Sequence, residues 1–204
     1  MAGCPRLYLV TDRHRTGGRA LLDVLAAALQ GGVDTVQLRE KDLSARALFE
    51  LGGEVLALCR QHGARLLVND RIDVALALGA DGVQLPQRSF APQDARALLG
   101  PDKWIGCSTH SAAEVQQAFA GGADFVVFGP VYDTESKRRY GPPLGRDALA
   151  EVTARRLGPV VAIGGVTAAR VAELRDAGAA GVAVIGAVLS AADPAAAARQ
   201  LIGR

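Results

Sequence analysis

Short apolar runs alternate with longer stretches of mixed polarity from one end of the chain to the other. The runs at residues 7–11, 33–38, 65–68, 82–85, 104–107, 125–128, 160–163 and 181–185 each predict a strand. Residues 19–30, 44–62, 72–78, 92–99, 112–120, 147–157, 168–177 and 194–202 predict the helices that follow them. Ser44 suits the N-cap of the second helix. Four helix-to-strand junctions echo one another: GGVD at 31–34, LGAD at 78–81, GGAD at 121–124 and AGAA at 177–180. Glycine there can take the left-handed conformation that stops a helix without steric cost. The strands are apolar on both faces, as a sheet covered by helices requires. Eight strand–helix units of about 25 residues predict an α/β fold, a compact (β/α)8 TIM barrel, with residues 1–204 as one domain. An open doubly wound sheet is the alternative. It more often stops at about five or six strands, and no GxGxxG follows the first strand here.

Composition sharpens this picture. Aromatic residues are only 4%, so the core is built from Val, Leu, Ile and Ala, which disfavours an aromatic-rich sandwich. The net charge of +2 is too mild to argue for nucleic acid, and no basic stripe with interleaved aromatics appears. Cys4, Cys59 and Cys107 are odd in number and lack metal-ligand spacing, which suits a reducing, cytoplasmic setting. The apolar run before Asp12 is too short for a signal peptide or a membrane span. The expected partners are phosphorylated small molecules, with no nucleic acid, no membrane, and at most a second copy of the chain in a homodimer.

In a barrel, chemistry belongs where strands end and helices begin. Those positions carry Thr11 and Asp12; Gln37, Arg39 and Lys41; Asn69 and Asp70; Gln84; Ser108, Thr109 and His110; the loop from Gly129; Gly164 and Gly165; and Gly186. The opposite loops hold mostly Gly, Ala and helix-stopping residues. Gln37, Arg39 and Lys41 alternate, so on extended backbone they share a face. Two cations there suit a phosphate or diphosphate; a solvated charge cluster is the plain alternative. Glu40 faces away and is expected to pair with a base. Asp70, at a strand end beside those cations, suits Mg²⁺ bridging phosphate oxygens, or else simply caps the next helix. Ser108 or Ser111 is expected to cap the helix after the fifth strand. His110 is only a candidate base, since neither an Asp or Glu partner nor an activated nucleophile can be named for it.

The 124–145 stretch, DFVVFGPVYDTESKRRYGPPLG, is a strand followed by a long polar loop carrying Thr134, Ser136 and Lys137. It reads as a loop that closes over an anion. Gly164–Gly165 and Gly186, after the seventh and eighth strands, suit a backbone nest for a phosphate, or serve turn geometry alone. Two anion sites are therefore expected. One is basic and metal-assisted: Arg39, Lys41, Asp70, Thr134, Ser136 and Lys137. The other is the nest at Gly164, Gly165 and Gly186.

LYLVTD (7–12), VQLREKD (36–42), LLVNDRIDVAL (66–76), IGCSTHS (105–111), GADFVVFGPVYDTESK (122–137), PVVAIGGV (159–166) and GVAVIGAV (181–188) together resemble the thiamine phosphate synthase family. The resemblance implies a (β/α)8 barrel that joins hydroxymethylpyrimidine diphosphate to thiazole phosphate, or its carboxylate, with Mg²⁺. It assigns the diphosphate to Arg39 and Lys41, with Gln37, Asn69 and Ser108 beside them and Asp70 as a metal ligand. It matches Thr134, Ser136 and Lys137 to a threonine–x–threonine–lysine motif. It gives the thiazole phosphate to Gly164, Gly165, Ile185 and Gly186. One stretch departs. Where the family usually reads GVHLGQxD, this chain reads GVQLPQRS at 82–89, so Ser89 replaces a second metal carboxylate. That stretch looks more like a related thiazole tautomerase, whereas Pro130 stands where the tautomerase places its catalytic histidine. The tautomerase is the alternative within the pathway; a non-catalytic phosphate-binding regulatory protein is the alternative outside enzymes.

Overall fold

In the computed structural model, which describes residues 4–134 and 142–203, every strand is paired on both edges. The strands are β1 (Leu7–Val10), β2 (Thr35–Leu38), β3 (Arg65–Asn69), β4 (Gly82–Leu85), β5 (Trp104–Thr109), β6 (Phe125–Phe128), β7 (Val160–Ile163) and β8 (Gly181–Val184). They are parallel, adjacent in chain order, and closed by β8 pairing with β1. Closure leaves no open edge. Around them run α1 (Leu21–Gln30), α2 (Ala45–Gln61), α3 (Ile72–Leu78), α4 (Pro92–Leu99), α5 (Ala112–Ala120), α6 (Gly145–Ala154), α7 (Ala168–Asp176), the short α8 (Gly186–Leu189) and α9 (Pro194–Ile202). A 3₁₀ turn, Arg13–Arg15, follows β1. The (β/α)8 barrel expected from the pattern is the observed fold.

The local signals work as read. Ser44 caps α2 by accepting from the Ala47 N–H. Gly32, Gly79, Gly122 and Gly178, at the four echoing junctions, all have positive φ. Several boundaries shift by two or three residues, α6 running Gly145–Ala154 where 147–157 was expected, and two differences are instructive. β5 runs two residues past its apolar stretch because Ser108 and Thr109 pair in register with Val127 and Phe128. The last unit carries an extra turn, α8, directly after β8.

The core has two parts. Most buried apolar side chains lie between sheet and helices. Inside the barrel, Tyr8, Leu67, Phe125, Val127, Val161 and Ala183 form a separate cluster. Phe125 fills the centre, edge-on to Tyr8 and Trp104 at ring centroid distances of 5.9 and 6.0 Å. It fits because Gly106 faces it: a Cβ there would lie 2.4 Å from the Phe125 ring. Arg65 stacks over Trp104 at 4.3 Å, both at the N-terminal ends of their strands. The barrel is thus plugged, and the C-terminal ends of its strands form a rim. Among the described residues no helix is long and apolar enough to cross a membrane.

Candidate active site

A polar chain crosses the barrel just below that rim. Gln37 Nε2 donates to the Tyr8 hydroxyl at 3.2 Å, Tyr8 donates to Gln84 Oε1 at 3.3 Å, and Gln84 Nε2 donates to Ser108 Oγ at 3.1 Å. Tyr8 is fully buried, and burial pushes its phenol well above the usual range, the bond from Gln37 opposing this only in part. It therefore stays a donor. Each bond fixes the direction of the next, which leaves the Ser108 proton to point onward, since Ser108 Oγ is an acceptor in this chain. Gln84, the residue in place of histidine, is an integral link.

Above this chain lies a hollow of about 230 Å³, lined among others by Gln37, Arg39, Lys41, Asn69, Gln84, Ser108 and His110. The three alternating residues of β2 and its loop do converge there. The Thr11 hydroxyl accepts from the Arg39 N–H at 2.9 Å and pins the strand end. Glu40 turns away, as expected, and is buried against Arg13 at 3.1 Å. Arg13 also binds Asp42 at 2.5 Å and, with His14, holds that carboxyl well below the usual range. His110 sits in the wall with its ring Nδ1 on the Gly129 carbonyl and its backbone N–H on Glu114. A ring nitrogen facing a carbonyl must carry the proton, which fixes the tautomer. Ser111, not Ser108, caps α5 by accepting from the Glu114 N–H at 3.3 Å.

A second hollow, of about 250 Å³, is lined by Arg15, Pro130, Thr134, Gly164, Gly165, Ile185 and Gly186 with their apolar neighbours. Ile163, Ile185 and Arg15 line both hollows, so the two abut. The double glycine is demanded by the chain itself. Gly164 and Gly165 have φ of 99° and 63°, and their Cβ atoms would lie 2.5 Å from the Pro130 Cβ and 2.7 Å from the Asp133 carbonyl oxygen. Packing of the β6 loop on the β7 loop, not a ligand alone, therefore excludes side chains here. Gly186 differs: a Cβ there would meet nothing nearer than 3.6 Å.

Asp70 lines neither hollow but an open third one of about 450 Å³, with Arg88, Ser89 and Phe90. It is no helix cap; Arg71 occupies that position in α3 without a side-chain bond. Asp70 is in the left-handed region, at φ 66°, which aspartate tolerates better than most residues. Among the described residues Ser89 Oγ is buried without a hydrogen-bond partner. Such an atom is costly unless something binds it. Among the described residues, no three His, Cys, Asp or Glu side chains are grouped to hold a metal.

The structure thus gathers Gln37, Arg39, Lys41, Asn69 and Ser108 in one hollow and Gly164, Gly165, Ile185 and Gly186 in its neighbour; Thr134, expected with the cations, lines the glycine hollow instead, and Asp70 lines a third. Ser136 and Lys137 lie outside the described residues. Two participants escaped the sequence reading. Tyr8 enters that reading only as part of the first strand, and Arg15 does not enter it.

A family model described as thiamine monophosphate synthase matches residues 7–188. A Geobacter sulfurreducens protein is 52% identical over 196 residues, covering 96% of this chain and 92% of its own. A thiamine-phosphate synthase of a Roseiflexus species is 45% identical over 195 residues, covering 96% and 83%. The solved structure of thiamine phosphate pyrophosphorylase from Pyrococcus furiosus superposes with a TM-score of 0.87 at 34% identity, covering 96% of this chain and 93% of that one.

Proposed function

The chain belongs to the thiamine monophosphate synthase family, and from that premise we propose that it is a transferase joining hydroxymethylpyrimidine diphosphate to thiazole phosphate, or its carboxylate, with release of diphosphate and, from the carboxylate, of CO2 as well. The observation that carries this reading is a pair of abutting hollows, one lined by cations and one by glycine backbone, on a single rim. In the reaction the bond from the pyrimidine methylene carbon to the diphosphate oxygen breaks, and its electron pair leaves with diphosphate. The lone pair of the thiazole nitrogen then forms the new bond at the same carbon. No protein nucleophile is needed; positioning and charge neutralisation carry the catalysis.

Arg39 and Lys41 hold the diphosphate and stabilise the charge it gains, with Asn69 beside them. Gln37, ordered through Tyr8 and Gln84, and the Ser108 hydroxyl contact the same reactant. Thr134 and the backbone at Gly164, Gly165, Ile185 and Gly186 hold the thiazole phosphate. Ser136 and Lys137 are assigned to the diphosphate by the family motif.

The donor set also bears on Mg²⁺. One carboxylate, Asp70, faces an orphaned hydroxyl, Ser89, where two carboxylates are usual in the family. This fits a magnesium ion that takes most of its ligands from phosphate oxygens and water, the ordinary habit of that ion. Mg²⁺ held by Asp70 would supply extra neutralisation of diphosphate. The 82–89 stretch is the one feature that leans towards the tautomerase; against it, Pro130 occupies that enzyme's histidine position, and the His110 Nδ1 is engaged by Gly129. The reducing, cytoplasmic setting we assign agrees with three unpaired thiols, Cys4, Cys59 and Cys107.

One assay tests the reading. The protein is incubated with the pyrimidine diphosphate, thiazole phosphate and Mg²⁺, and diphosphate release is followed. Release that requires both organic substrates is expected. Isomerisation of a thiazole carboxylate phosphate without the pyrimidine would replace this reading with the tautomerase.

A further inference from the structure

The 3₁₀ turn after β1 is fastened to both sides of the rim. Towards β2, the Arg13 side chain binds Glu40 and Asp42, the residues flanking Lys41, and the Arg13 N–H donates to Glu40 at 3.2 Å. Towards β8, the Ser190 hydroxyl donates to the Arg15 carbonyl oxygen at 2.9 Å, and Arg19 donates to the Leu189 carbonyl oxygen at 2.8 Å. The turn therefore ties the loop bearing Arg39 and Lys41 to the segment that follows β8.

Arg15, at the end of this turn, is half-buried and lines both hollows. Among the described residues it is the one cation that lines the glycine hollow. The other described residues of that wall offer a phosphate neutral donors. A dianion held by neutral donors next to a second, more highly charged anion is opposed by repulsion through a low-dielectric wall. A guanidinium on the shared wall attracts both anions, and its fork of donors matches phosphate oxygens. Arg39 and Lys41 line the cation hollow but not the glycine hollow.

We propose that Arg15 is a shared substrate-binding residue, contacting the phosphate in the glycine hollow and the diphosphate in the cation hollow, and so setting the affinity for both reactants. This assignment rests on the transferase reading. Its test compares R15Q, R15K and R39Q with the unaltered protein. The readouts are the two KM values in the diphosphate-release assay, calorimetric binding of thiazole phosphate and of inorganic diphosphate separately, and the melting temperature. R15Q is expected to melt normally and to raise both KM values about 10-fold, the factor of one lost charge-assisted hydrogen bond. R15K should recover part of each loss. R39Q should raise the pyrimidine KM and leave the thiazole KM in place. A folded R15Q that shifts one KM alone, or neither, overturns the assignment. If R15Q does not fold, R15K decides, since it keeps the charge but loses the fork; unchanged binding of both anions then overturns it. An unaltered protein that binds both anions but releases no diphosphate from the two substrates ends the transferase reading instead, and the calorimetric arms still judge Arg15.

Discussion

At the scale of single residues, the site depends on polar groups whose orientations are set by one another. Gln84 shows why a substitution at a familiar position need not break a site: its amide accepts from Tyr8 and donates to Ser108. The cations act more directly. Arg39→Ala is expected to lower kcat/KM by about 100-fold, in line with removal of one group that stabilises the departing charge. Kinetics within a factor of about two of the unaltered protein would take Arg39 out of that role. Ser89→Asp restores a carboxylate opposite Asp70 and is expected to tighten Mg²⁺; a metal titration unchanged by the substitution would show that position 89 does not reach the ion. The buried acids make a separate prediction. Burial pushes the Cys59 and Cys107 thiols from 9.0 up to about 12, and the Tyr8 phenol upward too. These groups ionise more readily in the unfolded chain than in the folded one. Their contribution is therefore complete below about pH 9 and is lost as pH rises towards 12. Urea midpoints should fall steadily across that window, and a flat profile would contradict the burial.

At the scale of elements, most of the chain follows rules readable from neighbours a few residues apart. Apolar runs became strands, glycines ended helices, and Ser44 capped α2. The exceptions were decided by partners distant in sequence. β5 extends through Ser108 and Thr109 because β6 offers them a register, and that extension carries Ser108 to the rim. The interior plug is equally non-local: Phe125 on β6 fills space that Gly106 on β5 vacates. Phe125→Ala is expected to cost about 3–5 kcal/mol, since a fully buried ring leaves a cavity that closed strands cannot collapse into. Chemical denaturation measures this directly. A loss under about 1 kcal/mol would mean that the plug is not packed as described.

At the scale of the whole molecule, closure turns eight separate strand ends into one rim with neighbouring hollows. Ligands that bind only this assembled rim should stabilise the whole fold. Inorganic diphosphate with Mg²⁺, at about 100 times its Kd, is expected to raise the unfolding free energy by about 2.7 kcal/mol. In Asp70→Asn the magnesium-dependent part of that gain should vanish while the part due to diphosphate alone remains. An Asp70→Asn protein stabilised as fully as the unaltered one would remove Asp70 from the metal.

The sequence alone determined the alternation of strands and helices, the barrel it implies, and the polarity of one set of loops. Those features depend on local conformational preference and on which faces must be buried, and both are written in short windows of residues. Only the tertiary structure decided that Asp70 lines a different hollow from Arg39, that Tyr8 links Gln37 to Gln84, and that Arg15 shares a wall with Gly165. Such neighbours are about 30 to 150 residues apart, and they meet because strand register and ring closure, rather than any local pattern, bring them together.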